Sequence, residues 1–228
     1  MSYVARVTLT GQTPLLMHAD DVMASDELSE WRKNPANKNF STPGDDRSPA
    51  WTWSKYLYTD GVSHLAIPIE MVMAGLRTAG AQIILKKQKT FKEITQSGIQ
   101  PDKPFFEFKC GLSLNSMQSV SIKSVVDVAD SGHTNFREQF EAVKKTGFQL
   151  FVKRARVGSA KHVRVRPRFE FWQATGDLHV VADEIAPEKL TELFAIFGRG
   201  GIGDWRAACR TPGPWGRCKA TWEQLKAA

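Results

Sequence analysis

Val4, Arg6, Val7, Thr8 and Leu9 form an alternating run that predicts a first strand over residues 4–10. After a break at Gly11, residues 18–60 lose periodicity and read as a long loop or insertion, too long for a simple connection. Within it Trp51, Trp53, Tyr56 and Tyr58 alternate with smaller residues. They predict a short strand or hairpin packed as a satellite core, with stacking against bases as the rival reading. The clearest helix opens at Ile67 and Pro68, where proline suits the first turn and Glu70 complements the positive helix end. Ile69, Val72, Met73, Leu76, Ile83 and Ile84 share its apolar face, so the helix is expected to run on to the lysines at 86–89. Turn residues flank the apolar run at 105–108, and a strand is predicted over 120–128. A short helix follows over 135–145 and a strand over 148–152. A second alternating run covers 163–172 and resumes at 178–181. The second good helix spans 187–197, with Leu190, Leu193, Phe194 and Phe197 on one face, and a final strand covers 215–222.

Stripped of its insertions, the order is strand, helix, strand, strand, helix, strand. This predicts an α+β, ferredoxin-like (RRM-like) fold: an antiparallel sheet with two helices on one face and the other face free to bind something. The expected organisation is one domain over 1–228 with insertions at about 18–62 and 115–160.

Composition narrows the classes. At 42% hydrophobic over 228 residues the chain can bury a core, and no apolar stretch is long enough to span a membrane. The alternating start argues against a signal peptide. Cys110, Cys209 and Cys218 lie at no metal-ligand spacing and read as reduced thiols, so a cytoplasmic protein without metal or cofactor is expected.

Charge changes the picture most. The chain carries a net charge of +7, and two windows, 71–92 and 142–169, hold five and nine bases and no acid. The first supplies Lys86, Lys87, Lys89 and Lys92; the second supplies Lys153, Arg154, Arg156, Lys161, Arg164, Arg166 and Arg168. Segregation of this kind suggests a basic surface facing a polyanion. On a strand Arg164, Arg166 and Arg168 share one face at roughly 6.6 Å intervals, a pitch able to follow the phosphates of a single strand. An edge strand guarded by charge is the alternative, and Pro167 favours it.

The run G-R-G-G-I-G at 198–203 follows a helix rather than opening one, so it is no dinucleotide site, and no Walker phosphate loop occurs. One C-terminal glycine suffices to stop a helix. The surplus of Gly198, Gly200, Gly201 and Gly203, beside Arg199 and Arg206, predicts a loop whose backbone approaches a phosphate or a neighbouring subunit, with a turn that merely admits the last strand beneath Trp205 and Trp215 as the rival reading.

Residues 65–77, L-A-I-P-I-E-M-V-M-A-G-L-R, resemble the helix entry of the RAMP superfamily, the RNA-binding proteins of CRISPR effector complexes. A closer resemblance is to phage and prophage proteins of unassigned function. They share T-P-L-L-M-H (13–18), a lysine-rich stretch (86–92), R-x-R-P-R-F (164–169), G-I-G-D-W-R (201–206) and G-P-W-G-R (213–217). It covers most of the chain outside roughly 115–150. The resemblance implies a non-catalytic, backbone-like subunit that packs head to tail and lays single-stranded RNA or DNA across its sheet, alone or with other complex subunits. It also implies two alternatives, a metal-independent endoribonuclease and a virion or assembly protein. Some members of the superfamily cleave RNA with a histidine, which makes His18, His64 and His162 candidates. Others use an aspartate after the first strand, a place comparable to Asp20 and Asp21.

Overall fold

The computed structural model describes residues 2–85, 90–130, 135–157 and 160–225. It is a mixed α/β molecule built on two antiparallel sheets. In the larger, β1 (Tyr3–Gly11) lies between β8 (Phe171–Val180) and β9 (Cys218–Leu225). β5 (Phe105–Gly111) and then the short β3 (Ala66–Pro68) extend the sheet beyond β8, which β4 (Ile99–Pro101) also joins. The smaller sheet sets β2 (Leu15–Leu16) against β7 (Ala160–Phe169), which forms a hairpin with β6 (Gln149–Val157).

Alternation fixes the register. Ala5, Val7 and Leu9 of β1 are buried and sit opposite Leu178, Gly176 and Ala174 of β8. They share one core with Val72 and Leu76 of α2 (Ile69–Gly80) and with Leu193, Phe194 and Phe197 of α6 (Pro187–Gly200). The same core continues into the smaller sheet, where Phe169 meets Phe108 edge to face at 5.1 Å and lies tilted by 33° against Phe148 at 4.9 Å. Among the described residues no helix is long and apolar enough to cross a membrane.

The opposite face of the large sheet is polar and balanced. Arg6 lies between Asp177 and Glu223, Thr8 between Thr175 and Thr221, and Glu107 and Lys109 extend the face on β5. Arg6 holds Asp177 through two hydrogen bonds of 2.9 and 2.8 Å. Among the described residues no row of aromatic rings lies there, and the bases of β6 and β7 belong to the other sheet.

Several expectations are corrected. Residues 18–62 are not structureless: α1 (Val22–Lys33) starts at Asp21, whose carboxylate accepts from the amides of Met23 and Ala24. Only Ala24 of this helix is buried, so it lacks the apolar period that would have announced it. Residues 51–58 form no strand. Thr52–Tyr56 is a 3-10 turn, and Trp53 is fully buried in the main core, its Nε1 donating to Gln139 Oε1 at 2.6 Å. The strand predicted over 120–128 is α4 (Ile122–Ala129), capped by Ser121 and burying Val125 and Ala129 one turn apart. α2 stops at Gly80, so Ile83 and Ile84 lie beyond it, and α3 (Lys92–Gly98) follows. The predicted helix near 135–145 is α5 (Phe136–Ala142) with a 3-10 extension.

Candidate nucleic-acid interface

The β6–β7 hairpin carries most of the second basic window, and the loop after α6 faces it across a cleft of about 650 Å³. Among the described residues six that line it are basic, namely Lys153, Arg154, Arg156, Arg164, Arg166 and Arg210, and one is acidic, Asp204. Phe151, Trp205 and Cys209 line it as well.

Three segments build the far wall. Leu15 and Leu16 pair with Phe169 and Arg168 of β7 on one side. On the other, Leu16 O accepts from Asp204 N at 2.9 Å and Pro14 O from Gly216 N at 2.8 Å. Gly216 O in turn accepts from Ile202 N at 3.0 Å. The surplus glycines serve this lacing. A Cβ at Gly198 would stand 2.2 Å from Cys218 O, one at Gly203 2.5 Å from Leu16 O, and one at Gly216 1.8 Å from Ile202 O. Gly201 at φ +73° lies against Gly216, and Gly200 meets only Ala208. At Gly198, Gly201 and Gly203 the close approach is therefore to the chain's own backbone. Arg206 turns back to donate to Gly203 O at 3.1 Å and does not line the cleft, and Arg199 is exposed near the end of α6.

The three arginines of β7 do share a face, but internal carboxylates hold them. Asp46 is buried and accepts from Arg164 Nη1 and Arg166 Nη1 at 3.1 Å each, and from the amide of Val165 at 3.2 Å. Arg166 Nε donates to Asp204 at 3.0 Å, and its guanidinium lies 4.6 Å from the centre of the Tyr56 ring. Arg166, expected to follow phosphates, is only 9% exposed and forms the centre of an ion-pair network. Arg168 pairs with Glu170 at 2.5 Å and lies over Trp215. The other bases of the lining are Lys153, Arg154, Arg156 and Arg210. Lys161 is exposed opposite Arg156 in the hairpin register, and Lys92 is exposed at the start of α3; neither lines the cleft. Lys86, Lys87 and Lys89 lie outside the described residues.

Of the candidate catalytic residues, His18, Asp20 and Asp21 are brought to one hollow, whereas His64 and His162 lie elsewhere. His18 sits beside the network, 3.8 Å from Asp204 and edge-on to Tyr56 at 4.9 Å. Burial, and then the charge of Arg166, push its pKa down, against Asp204, Asp46 and Asp20. That hollow, of about 180 Å³, lies beside α1, and Asp21 there is also the helix's cap. His64 lies in an exposed turn with its Nδ1 2.8 Å from Ser63 Oγ, and His162 packs on Gly44. Among the described residues no group of three or more His, Cys, Asp and Glu is placed to hold a metal ion. Burial pushes the thiols of Cys110 and Cys218 up to about 12, whereas Cys209 is half-buried at the cleft.

Sequence reasoning missed Asp46, Asp204, Trp205 and Arg210. Asp204 and Trp205 stand inside the G-I-G-D-W-R motif, where the glycines drew the attention; Asp46 and Arg210 carried no local signal. No protein-family model matches the chain, and no curated protein matches its sequence significantly.

Proposed function

We propose that this chain is a single-stranded nucleic-acid-binding protein of ferredoxin-like fold that assembles along RNA or DNA without cutting it. The fold reading is supported by the strand order β5-β8-β1-β9 with α2 and α6 as the two crossovers, the order expected of a ferredoxin-like sheet. The binding reading rests on one observation: a cleft with six basic residues and one acidic residue, interleaved with aromatic rings. A groove of cations beside aromatic rings suits a backbone of phosphates with unpaired bases. The open sheet face, where opposite charges cancel, suits it poorly. The strand is therefore assigned to the cleft, and the RAMP-like relationship remains part of the proposal. Assembly is supported by exposed apolar side chains on the 18–62 insertion, with Val22, Met23 and Phe40 each about 70% exposed.

The test is the salt dependence of affinity for a labelled oligonucleotide. Each phosphate neutralised on a single strand contributes about 0.7 to the slope of log affinity against log salt. Replacing Lys153, Arg154 and Arg210 together with Gln is expected to lower that slope by about 2. Replacing Arg6, Lys109 and Lys219 on the open sheet face should leave it unchanged. The labelled RNA should be recovered intact. A folded cleft variant that binds like the parent would end the cleft assignment.

A further inference from the structure

Trp205 combines three features. It is the one non-glycine residue with positive φ among the described residues, at +50°, a backbone state that bulky side chains rarely adopt. Strained backbone of this kind persists where surrounding structure over-determines it, and it concentrates at ligand sites. Here Gly213 supplies the clamp: a Cβ there would stand 2.1 Å from Trp205 O and 2.5 Å from its Cδ1, so the indole edge is held against bare backbone. The clamp presents the ring within the basic cleft. Third, the ammonium of Lys153 lies over that ring, 3.2 Å from its centroid.

The position of Lys153 is informative because its cross-strand neighbour is another cation, Arg164. Arg164 is held by Asp46, and what the Lys153 ammonium meets in the cleft is the electron-rich indole face of Trp205. A phosphate is a far stronger partner. When a strand's phosphate draws Lys153 away, it uncovers a flat aromatic surface of the size and polarity on which a base stacks.

We propose that Trp205 is a nucleobase-stacking platform, capped by the Lys153 ammonium in the unbound protein and yielded to a base when the strand's phosphate takes up that ammonium. The inference rests on the strand-binding reading of the cleft and adds to it the requirement for a base. Backbone charge alone then accounts for only part of the affinity, and a free polyanion of equal charge is a poorer ligand than a strand with bases.

The experiment compares an oligothymidylate with an abasic strand of the same length and charge, both fluorescently labelled, at one fixed salt concentration. The parent protein should bind the base-bearing strand about tenfold more tightly, the effect expected of one stacked base. Trp205→Phe should keep most of that preference. Trp205→Asn, a residue that tolerates left-handed backbone, should lose the preference while retaining the salt slope. Lys153→Gln should show the converse, with the preference kept and the slope reduced by about 0.7. Equal affinity of the parent for both strands overturns the proposal without needing any variant, as does a preference that survives in folded Trp205→Asn. Binding of neither strand overturns the strand-binding reading itself, and this inference with it.

Discussion

Asp46 shows what a single buried carboxylate decides. Its side chain is 4% exposed, and it joins Arg164 and Arg166, the latter with only 11% of its side chain exposed. Two guanidiniums share one acid, with Asp204 completing the neutralisation of Arg166 from the cleft side. Removing one partner of a buried ion pair leaves the other desolvated and uncompensated, a loss of about 3–5 kcal/mol. Asp46→Ala should therefore lower the free energy of unfolding in a urea titration, by less than that amount because Asp204 still pairs with Arg166 and Arg164 is partly exposed. Asp46→Asn, which keeps an acceptor but not the charge, should fall between. A change within ~0.5 kcal/mol would mean that Arg166 finds other compensation. The arginines were legible in the sequence because strand alternation puts them on one face. Their partner was not, since Asp46 lies 118 residues from Arg164 and only the folded chain brings them together.

At the scale of elements, the glycine-rich turn is a packing device. Gly216 at φ +68° faces Ile202 O so closely that no side chain fits, and the contact is with backbone that cannot swing aside. Gly216→Ala combines left-handed strain with a steric clash and should cost about 2–4 kcal/mol, read as a lowered melting temperature. Gly200→Ala, which meets only Ala208 at 3.4 Å, should leave it nearly unchanged. A Gly216 variant as stable as the parent would show that the turn can open. Elements with a strong period were readable from the chain: β1 and α6 stand close to where alternation and the 3.6-residue repeat put them, whereas the alternating run expected over 163–172 is divided at Glu170 between β7 and β8, which belong to different sheets. α1 was missed because it is polar on nearly every side. α4 was misread because its valines favour a strand locally, and the cap at Ser121 together with burial of Val125 and Ala129 outweighs that preference. The cleft was half legible: the hairpin declared its charge, whereas the opposite wall depends on three segments far apart in the sequence.

For the whole molecule, the proposed assembly should depend on the insertion rather than on the cleft. Met23 and Phe40 are 76% and 69% exposed, and a contact that differs from its counterpart on the next copy propagates along a strand. The parent protein should form larger complexes on a long oligonucleotide than on a short one, as measured by gel filtration. Met23→Glu combined with Phe40→Glu should abolish that growth and leave affinity for the short strand intact. One protein per strand at every length for the parent would refute assembly, and unaltered growth in the double variant would move the contact elsewhere.

The lacing of Pro14 and Leu16 to Ile202, Asp204 and Gly216 has a consequence in time. The hairpin side of the cleft closes between β6 and β7, neighbours in the sequence. The opposite wall needs a stretch near the start of the chain and two near its end, and Trp205 gains its clamp only when Gly213 arrives. Contacts between such distant segments are slow to form, because the intervening chain must be ordered first. During synthesis on a ribosome, then, the basic hairpin emerges well before the wall that gives it shape. A nascent chain exposes charge without a cleft, and the proposed binding would begin only after residues 213–217 have left the exit tunnel.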